Sequence, residues 1–278
     1  MSRDRNAARD TGRIDVERLV WRLLPWAPLA AISVAWTLYW NIAHPAAATL
    51  PPISGVFAAI VELTRSGRLV DDIAASLTRL VLGAVIGIVT GVAAGFLTGL
   101  NRGAAAFLNP LVVFFNAISG IVWLPLMIGW LGIGTALAVF LIWNSVFFIV
   151  FQNTVLGVQL VPELLEQGVR SLGGSRFETI RSVTLPGALP HILAGIRSGL
   201  GFGWRALIAA ELVGATTGLG QMIFGAAEYS RSDIIIAGCL IIGCIAMAMD
   251  RWLLLPIERR TVQRWGLVAS NEDQGDRR

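Results

Sequence analysis

The sequence predicts an all-α polytopic membrane protein with six transmembrane helices. Of its 278 residues, 55% are hydrophobic and only 14% are charged, and the mean hydropathy is +0.68. Soluble domains carry about 25% charged residues, so roughly half of the usual charge is missing. Six apolar runs are each long enough to supply the ~20 residues that cross the hydrocarbon core of a bilayer. Lipid is therefore the expected surrounding of most of the chain.

The N-terminal part of the chain predicts a polar tail, one membrane helix and a segment outside the membrane core. Residues 1–20 hold five arginines and four acids and form the tail. Residues 21–42 form the first transmembrane helix, whose apolar stretch of about 20 residues exceeds the 7–15 of a signal peptide. Residues 43–78 form an extracytoplasmic segment with a surface helix over Ile53–Thr64, which places Val56, Ile60 and Leu63 on one face.

Residues 79–257 predict a core of five further transmembrane helices, and residues 258–278 a second polar tail. The apolar runs of this core are 79–100, 111–131, 135–157, 188–213 and 234–255. Only Gly132-Ile133-Gly134 separates the third span of the chain from the fourth. The sequence therefore predicts a tight helical hairpin there.

The distribution of arginine predicts the orientation of these helices. Cytoplasmic loops carry an excess of basic residues. One predicted side has the N-terminal tail, Arg102, Arg170, Arg176, Arg181, Arg259, Arg260 and Arg264. The opposite side has three arginines diluted by five acids. We therefore expect a bacterial plasma (inner) membrane protein with both termini and residues 158–187 in the cytoplasm.

The polar segment 162–186 lies between two apolar runs and predicts two short helices. Pro162 suits a first helical position, and Gly173-Gly174 ends that helix. Ser175 with Glu178 three residues later forms a capping box, which begins a second helix through about Val183. Six apolar side chains are then available for burial: Leu164, Leu165, Val169, Leu172, Phe177 and Ile180. We expect this segment to contact another protein.

All 22 basic residues are arginine. A phosphate-binding loop of the GxxxxGK[ST] type needs a lysine that reaches the outer phosphates, so this chain contains none. If ATP drives the protein, a separate subunit must hydrolyse it. The sequence shows no nucleophile, metal or acid–base constellation, and its arginines flank apolar runs instead of forming a nucleic-acid patch. We expect no catalytic residue, bound metal, bound cofactor or nucleic-acid partner.

Glycines recur at a strict four-residue spacing in the second predicted span, at Gly83, Gly87, Gly91, Gly95 and Gly99. Small residues at this spacing let helix backbones approach closely in a membrane. We interpret the stripe as helix packing within one subunit, and a dedicated dimer motif is the alternative.

Arg205 lies about 27 Å along the predicted fifth helix, if that helix begins at Gly187. A cation near mid-membrane costs about 2.5–3.5 kcal/mol unless it meets water or a partner. We predict that Arg205 attracts an anionic substrate. A structural ion pair is the alternative, although Glu211 lies on a face about 120° away. The full predicted pathway is Arg205, Trp204, Asn116, Trp123, Ser145 and Gln152.

The polar segment resembles the EAA loop of the permeases of binding-protein-dependent ABC importers. That pattern is EAA, three residues, Gly, nine residues, then Ile-x-Leu-Pro. Gly173 fills its glycine, and Val183, Leu185 and Pro186 fill its end, whereas the triplet reads Gln167-Gly168-Val169. The stretches WLPLMIGWLGIG and GFGWRALIAAELVGATTGLGQMI also resemble the nitrate, sulfonate and taurine branch of this family. The resemblance covers roughly residues 50–265.

This resemblance implies the transmembrane domain of a type I ABC importer. It implies a second permease subunit, in a homodimer, two ATP-binding subunits that hold ATP and Mg²⁺, and an extracytoplasmic substrate-binding protein. The residues that it assigns to ATPase coupling are Glu166, Gln167, Gly168, Arg170, Ser171, Leu172, Gly173, Phe177, Leu185 and Pro186. The implied solute is a sulfonate, taurine or nitrate.

Two alternatives stay open at this level. An importer for an aromatic acid or for a vitamin or pyrimidine precursor would have a permease of the same kind. A secondary transporter driven by an ion gradient would instead carry a paired carboxylate or histidine relay inside its spans, and often two repeated halves. The sequence shows neither feature.

Overall fold

The computed structural model describes residues 27–46 and 48–254, and all regular secondary structure in these residues is helical. The α-helices are α1 Ala27–Ala43, α2 Ile53–Arg65, α3 Arg68–Leu100, α4 Arg102–Ala117, α5 Leu124–Leu131, α6 Thr135–Gln159, α7 Glu163–Ser171, α8 Arg176–Thr179, α9 Leu185–Gly214, α10 Leu219–Glu228 and α11 Ser232–Ala248. A 3₁₀-helix covers Gly120–Trp123, and π-helical turns cover Ile180–Thr184 and Met249–Leu254.

Three helices of the described residues are long and apolar enough to cross a membrane: Arg68–Leu100, Thr135–Gln159 and Ser232–Trp252. Two bent pairs raise that number to five if each is one span, with bends of 85° between α4 and Gly120–Leu131 and 43° between Arg176–Gly214 and α10. The predicted first span begins at residue 21, and residues 21–26 lie outside the described part. The count of six spans stays a prediction.

Helix α6 is the centre of the bundle and packs along both α3 and α9, which also contact each other. All five glycines of the α3 stripe lie against α6, where a Cβ on any of them would meet an α6 atom at 2.6–3.0 Å. The facing α6 residues also recur every four positions: Ile142, Val146, Val150, Thr154 and Val158. The backbones of α3 and α6 can approach this closely because glycine has no side chain at these positions.

Glycines of α9 also pack against α6. A Cβ on Gly195 would lie 2.6 Å from the Cβ of Asn153, and one on Gly203 would lie 2.8 Å from Val146 Cγ2. Because glycines of both α3 and α9 approach Val146, these two helices lie side by side along α6 and also contact each other. This arrangement places residues of α3 near residues of α9 that are more than a hundred positions away in sequence.

The predicted third span, 111–131, is wrong as a single helix. Helix α4 ends at Ala117, Ile118 is extended, and the chain then turns by 85° into Gly120–Leu131. Pro125 explains part of this break, because proline lacks the N–H of a helix interior and is tolerated in a first turn, which it occupies in α5. The tight turn at residues 132–134 exists, with both glycines at positive φ, but it joins the short α5 to α6.

The predicted end of the second short helix at about Val183, before a separate span at 188–213, is also wrong. Helix α8 runs through the π-helical turn Ile180–Thr184 directly into α9, so Arg176–Gly214 is one helical element. Pro186 stands in the first turn of α9, and the π-helical turn before it accommodates its missing N–H. The fifth predicted span thus begins within the polar segment instead of at residue 188.

Helix α3 begins at Arg68 rather than at 79, so it includes the last residues of the segment 43–78 that was predicted to be extracytoplasmic. The surface helix predicted over Ile53–Thr64 is present as α2, Ile53–Arg65. On the predicted face of α2, Val56 and Leu63 are buried and Ile60 is half-buried. Val56 packs with Ala237 of α11, so this face holds α2 on the bundle.

Candidate functional site

The polar segment 162–186 has a turn that only glycine fits well. Gly173 has φ of +86°, and Gly174 donates its N–H to the carbonyl of Val169 at 3.0 Å. A Cβ on Gly174 would lie 2.5 Å from Val169 Cγ1. These contacts end α7 and reverse the chain, as a glycine after a helix commonly does.

The capping box predicted from Ser175 and Glu178 is present. The Ser175 hydroxyl accepts the Glu178 N–H at 3.2 Å, and the Ser175 N–H donates to Glu178 Oε2 at 2.7 Å. A further bond ties the two arms of the segment together, because Thr184 Oγ1 donates to Glu166 Oε1 at 3.0 Å. Helix α7 is thus linked to the π-helical turn that leads into α9.

Four of the six apolar side chains of this segment are exposed in the single chain. Leu164 is 77% exposed, Leu172 91% and Phe177 70%, and Leu165 is also exposed. Val169 and Ile180 are half-buried. Among the other predicted coupling residues, Gln167, Gly168, Arg170, Ser171, Gly173 and Leu185 are exposed, and Glu166 and Pro186 are half-buried. The segment therefore presents an apolar surface without a partner in the described chain.

Arg205 lies on α9 at the edge of a cavity of about 180 Å³. Two hydroxyl-bearing residues line the same cavity, Ser145 of α6 and Ser119 of the break after α4. The Arg205 side chain is exposed, and its guanidinium carbon lies 5.3 Å from the centre of the Phe202 ring. The structure thus brings together two of the six predicted pathway residues, Arg205 and Ser145.

The other four predicted pathway residues do not line this cavity and stay predictions. Trp204 is buried among Leu80, Val146 and Leu207, and it borders a second cavity, of about 200 Å³, together with Arg205. Trp123 lines a third, aromatic cavity of about 340 Å³. Asn116 and Gln152 are exposed and line neither cavity beside Arg205.

The sequence analysis did not predict a buried polar cluster that lies between α3 and α9. Arg79 Nη1 donates to Glu211 Oε1 at 2.8 Å, and the two residues are 4% and 0% exposed. Ser76 also donates to Glu211, at 2.8 Å. One signal was available in the sequence: Asp72, Ser76 and Arg79 follow i, i+4, i+7 spacing and so share one helix face. The sequence did not show that Glu211 is the acid that bonds Ser76 and Arg79.

This cluster holds the turn between α9 and α10. The N–H groups of three successive residues donate to it: Gly218 to Asp72 at 2.8 Å, Leu219 to Ser76 at 2.9 Å and Gly220 to Glu211 at 3.0 Å. Arg79 also donates to the carbonyl and the hydroxyl of Thr217. Buried polar groups are stable only when paired in this way. The Arg79–Glu211 pair is therefore a structural clamp.

Charged groups of the predicted extracytoplasmic side also meet in the structure. Arg231 pairs with Asp233 at 2.8 Å and with Glu62 at 3.0 Å. Hydrogen bonds to Asp233 and Glu62 raise the pKa of Arg231 above its ordinary value. Arg102, Glu163 and Glu166, from the predicted cytoplasmic side, line a different cavity. Residues predicted to share a side of the membrane therefore lie near one another.

The amino-acid sequence matches a protein-family model and several known proteins. A family model described as "Binding-protein-dependent transport system inner membrane component" matches residues 83–255. The chain is 33% identical over 253 residues to the taurine transport system permease protein TauC of Escherichia coli, covering 86% of this chain and 91% of that protein. It is 31% identical over 192 residues to the bicarbonate transport system permease protein CmpB of Synechococcus elongatus, covering 69% and 67% respectively.

Solved structures show the same fold. A chain of the MetNI methionine ABC transporter in an inward-facing conformation superimposes with a TM-score of 0.58 at 22% identity, covering 71% of this chain and 98% of that chain. A chain from the crystal structure of an amino acid ABC transporter with histidines gives a TM-score of 0.60 at 17% identity, covering 72% and 97%. At these identities the likeness concerns the fold alone.

Proposed function

The chain belongs to the family of binding-protein-dependent transport system inner membrane components, and from this premise we propose that it carries a small anionic solute into a bacterial cell. It is a membrane-embedded permease component of an ABC importer and is not itself the catalytic subunit. The observation that carries the proposal is the exposed apolar surface of Leu164, Leu172 and Phe177 on the polar segment. Such a patch indicates a protein partner.

That partner is a pair of ATPase subunits, which bind ATP and Mg²⁺ and dock on residues 162–186. The absence of lysine from the chain supports this assignment, because the phosphate-binding lysine must then lie on another chain. A second copy of the permease completes the pathway. The polar segment faces the cytoplasm of the inner membrane, as the arginines around it favour. A substrate-binding protein delivers the solute on the other side, near α2 and the α10–α11 turn.

The continuity of Arg176–Gly214 supports a direct route for coupling. Its 39 residues extend for roughly 58 Å at the rise of an α-helix, from the polar segment past Arg205. Glu166 of α7 accepts a hydrogen bond from Thr184 at the base of this element. Motion of a docked ATPase against α7 therefore moves α9, which lines the Arg205 cavity.

The names of the relatives support this class of solute. Taurine and bicarbonate, which the names of TauC and CmpB specify, both bear an acidic oxygen group. Arg205 at the edge of a cavity suits a solute of that kind, because guanidinium binds oxyanions through two parallel hydrogen bonds.

Copurification with the cognate ATPase tests this function. The wild-type chain should retain the ATPase in detergent and take up radiolabelled ethanesulfonate in proteoliposomes that contain the binding protein. Phe177→Asp combined with Leu172→Asp should abolish both, because each places a charge in the docking surface. Tyr229→Asp is the matched control for ATPase retention, since Tyr229 is 81% exposed but lies on the predicted opposite side. Retention of the ATPase by the double variant would contradict the docking surface.

A further inference from the structure

Beyond Arg68 at the start of α3, three arginines lie within the long helices α3 and α9, and they differ in their partners. Arg79 is paired with Glu211 at 2.8 Å, and Arg197 is paired with Asp250 at 3.1 Å. Within residues 27–46 and 48–254, Arg205 makes no hydrogen bond and no ion pair, and its described contact is the Phe202 ring. A cation in an apolar helix needs water, a carboxylate or a bound anion. Asp250 lines the second cavity beside Arg205, but it is paired with Arg197, and no carboxylate of the described residues forms an ion pair with Arg205. Arg205 is therefore available to an anion.

The surroundings of Arg205 supply further donors for such an anion. The cavity beside it is formed by three separate elements: the break after α4, helix α6 and helix α9. Ser119 and Ser145, which carry hydroxyls, line it from the first two, and Arg205 lines it from the third. A Cβ on Gly120 would lie 3.8 Å from Ser145 Oγ, so the break and α6 are in close contact here. No carboxylate lines this cavity among the described residues.

We propose that Arg205, Ser119 and Ser145 form a binding station inside the permease for the oxyanion group of the transported solute. This inference rests on the proposed transport function for the identity of the anion. The guanidinium fork binds two oxygens of a sulfonate, and a hydroxyl donates to the third; with a carboxylate, the hydroxyl donates to a second lone pair of one of the two oxygens. The station holds the solute weakly, because a transport pathway must also release what it binds.

The station makes the permease selective for charge independently of the binding protein. A neutral solute of the same shape leaves the guanidinium without its partner, whereas an oxyanion completes it. Methanesulfonate and dimethyl sulfone form a suitable pair of probes, because a methyl group replaces one charged oxygen between them. We expect the first to compete for the station and the second to fail.

Equilibrium binding to the permease–ATPase complex, in nanodiscs of phosphatidylcholine and without binding protein, tests the station directly. Radiolabelled ethanesulfonate should bind saturably and be displaced by methanesulfonate but not by dimethyl sulfone. Arg205→Gln should weaken binding about ten- to a hundredfold, as the loss of a charge-assisted hydrogen bond does. The affinity of Arg205→Lys should lie between those of the wild type and Arg205→Gln, because lysine keeps the charge but lacks the guanidinium fork. Ser145→Ala should cost about three- to tenfold. Arg65→Gln, an exposed arginine on α2, is the matched control and should bind as wild type.

Uptake into proteoliposomes with the binding protein provides a second readout. Arg205→Gln should lower the maximal rate of uptake about tenfold or more and should leave the half-saturating concentration of loaded binding protein unchanged, because the cavity is not the docking surface. Wild-type kinetics in this variant, equal competition by dimethyl sulfone, or unchanged ethanesulfonate binding would overturn the station.

Two other occupants of the cavity give distinct results. If Arg205→Gln reduces the fraction of permease dimers and leaves uptake per dimer unchanged, Arg205 contacts the second copy and the station is refuted. If the variant changes only the retention of phosphatidylglycerol, the occupant is a lipid head group and the station is again refuted. In both cases the wild-type complex still couples ATP to uptake, so the proposed function stands. That function fails separately if no ATPase copurifies with the wild-type chain.

Discussion

Arg79 and Arg205 are the same residue type in neighbouring long helices, yet the structure gives them opposite surroundings. Arg79 is 4% exposed and donates hydrogen bonds to Glu211 and to Thr217, which lies in the turn between α9 and α10. Arg205 is exposed on a cavity that contains hydroxyls and no described carboxylate. The fold thus brings an acid to Arg79, whereas within the described residues it brings Arg205 no ion pair and leaves its guanidinium beside the Phe202 ring.

The largest expected effect comes from breaking the Arg79 cluster. Glu211→Leu leaves a buried guanidinium without its acid, and the loss of one partner of a buried pair costs about 3–5 kcal/mol. It also leaves the Gly220 N–H without an acceptor. We expect little folded permease in the membrane, measured as the yield of monodisperse protein in detergent and as its Tm.

A double variant separates charge from shape in this cluster. Arg79→Met with Glu211→Leu removes both charges while keeping similar volume, and such replacements are often neutral or stabilising. The double variant should therefore lose less stability than Glu211→Leu alone. If both variants lose the same amount, then the turn at residues 217–220, and not the ion pair, accounts for the effect.

An intermediate effect is expected at the glycine seam that packs α3, the helix of Arg79, against α6. A Cβ added at Gly87 would lie 2.8 Å from Val146 Cβ, and overpacking of this kind costs about 1–3 kcal/mol. Gly87→Ala should lower the Tm in detergent, and Val146→Ala in the same chain should restore part of the loss. Gly243→Ala on α11 is the control, since open space surrounds it. Equal Tm values for the Gly87 and Gly243 variants would contradict the seam.

The smallest effect on stability is expected at Arg205. Its side chain is exposed and makes no described hydrogen bond, and substitutions of that kind change the free energy of unfolding by about 0.5 kcal/mol or less. Arg205→Gln should therefore keep the wild-type Tm and yield. A loss comparable to that of Glu211→Leu would show that Arg205 is structural, and the contrast between the two arginines would disappear.

Local rules predicted a large part of the fold. The surface helix α2 came within one residue of its observed end, and the Ser175–Glu178 capping box has both of its hydrogen bonds. Helix caps and apolar periodicity depend on residues within one or two turns, so a sequence displays them directly. The breaks were less predictable: the turn at 118–120 and the π-helical continuation through Ile180–Thr184 depend on what packs against them.

An apolar helical protein, the glycine stripe of α3 and a capped polar segment can be predicted from the sequence, because each follows from composition or from contacts between neighbours in sequence. The ion pair between Arg79 and Glu211 is visible only in the packed bundle. Arg79 and Glu211 are 132 positions apart, and their contact requires α3 and α9 to be brought together beside α6. A charge inside a helix acquires its role from such distant residues, because burial and pairing depend on the packed bundle.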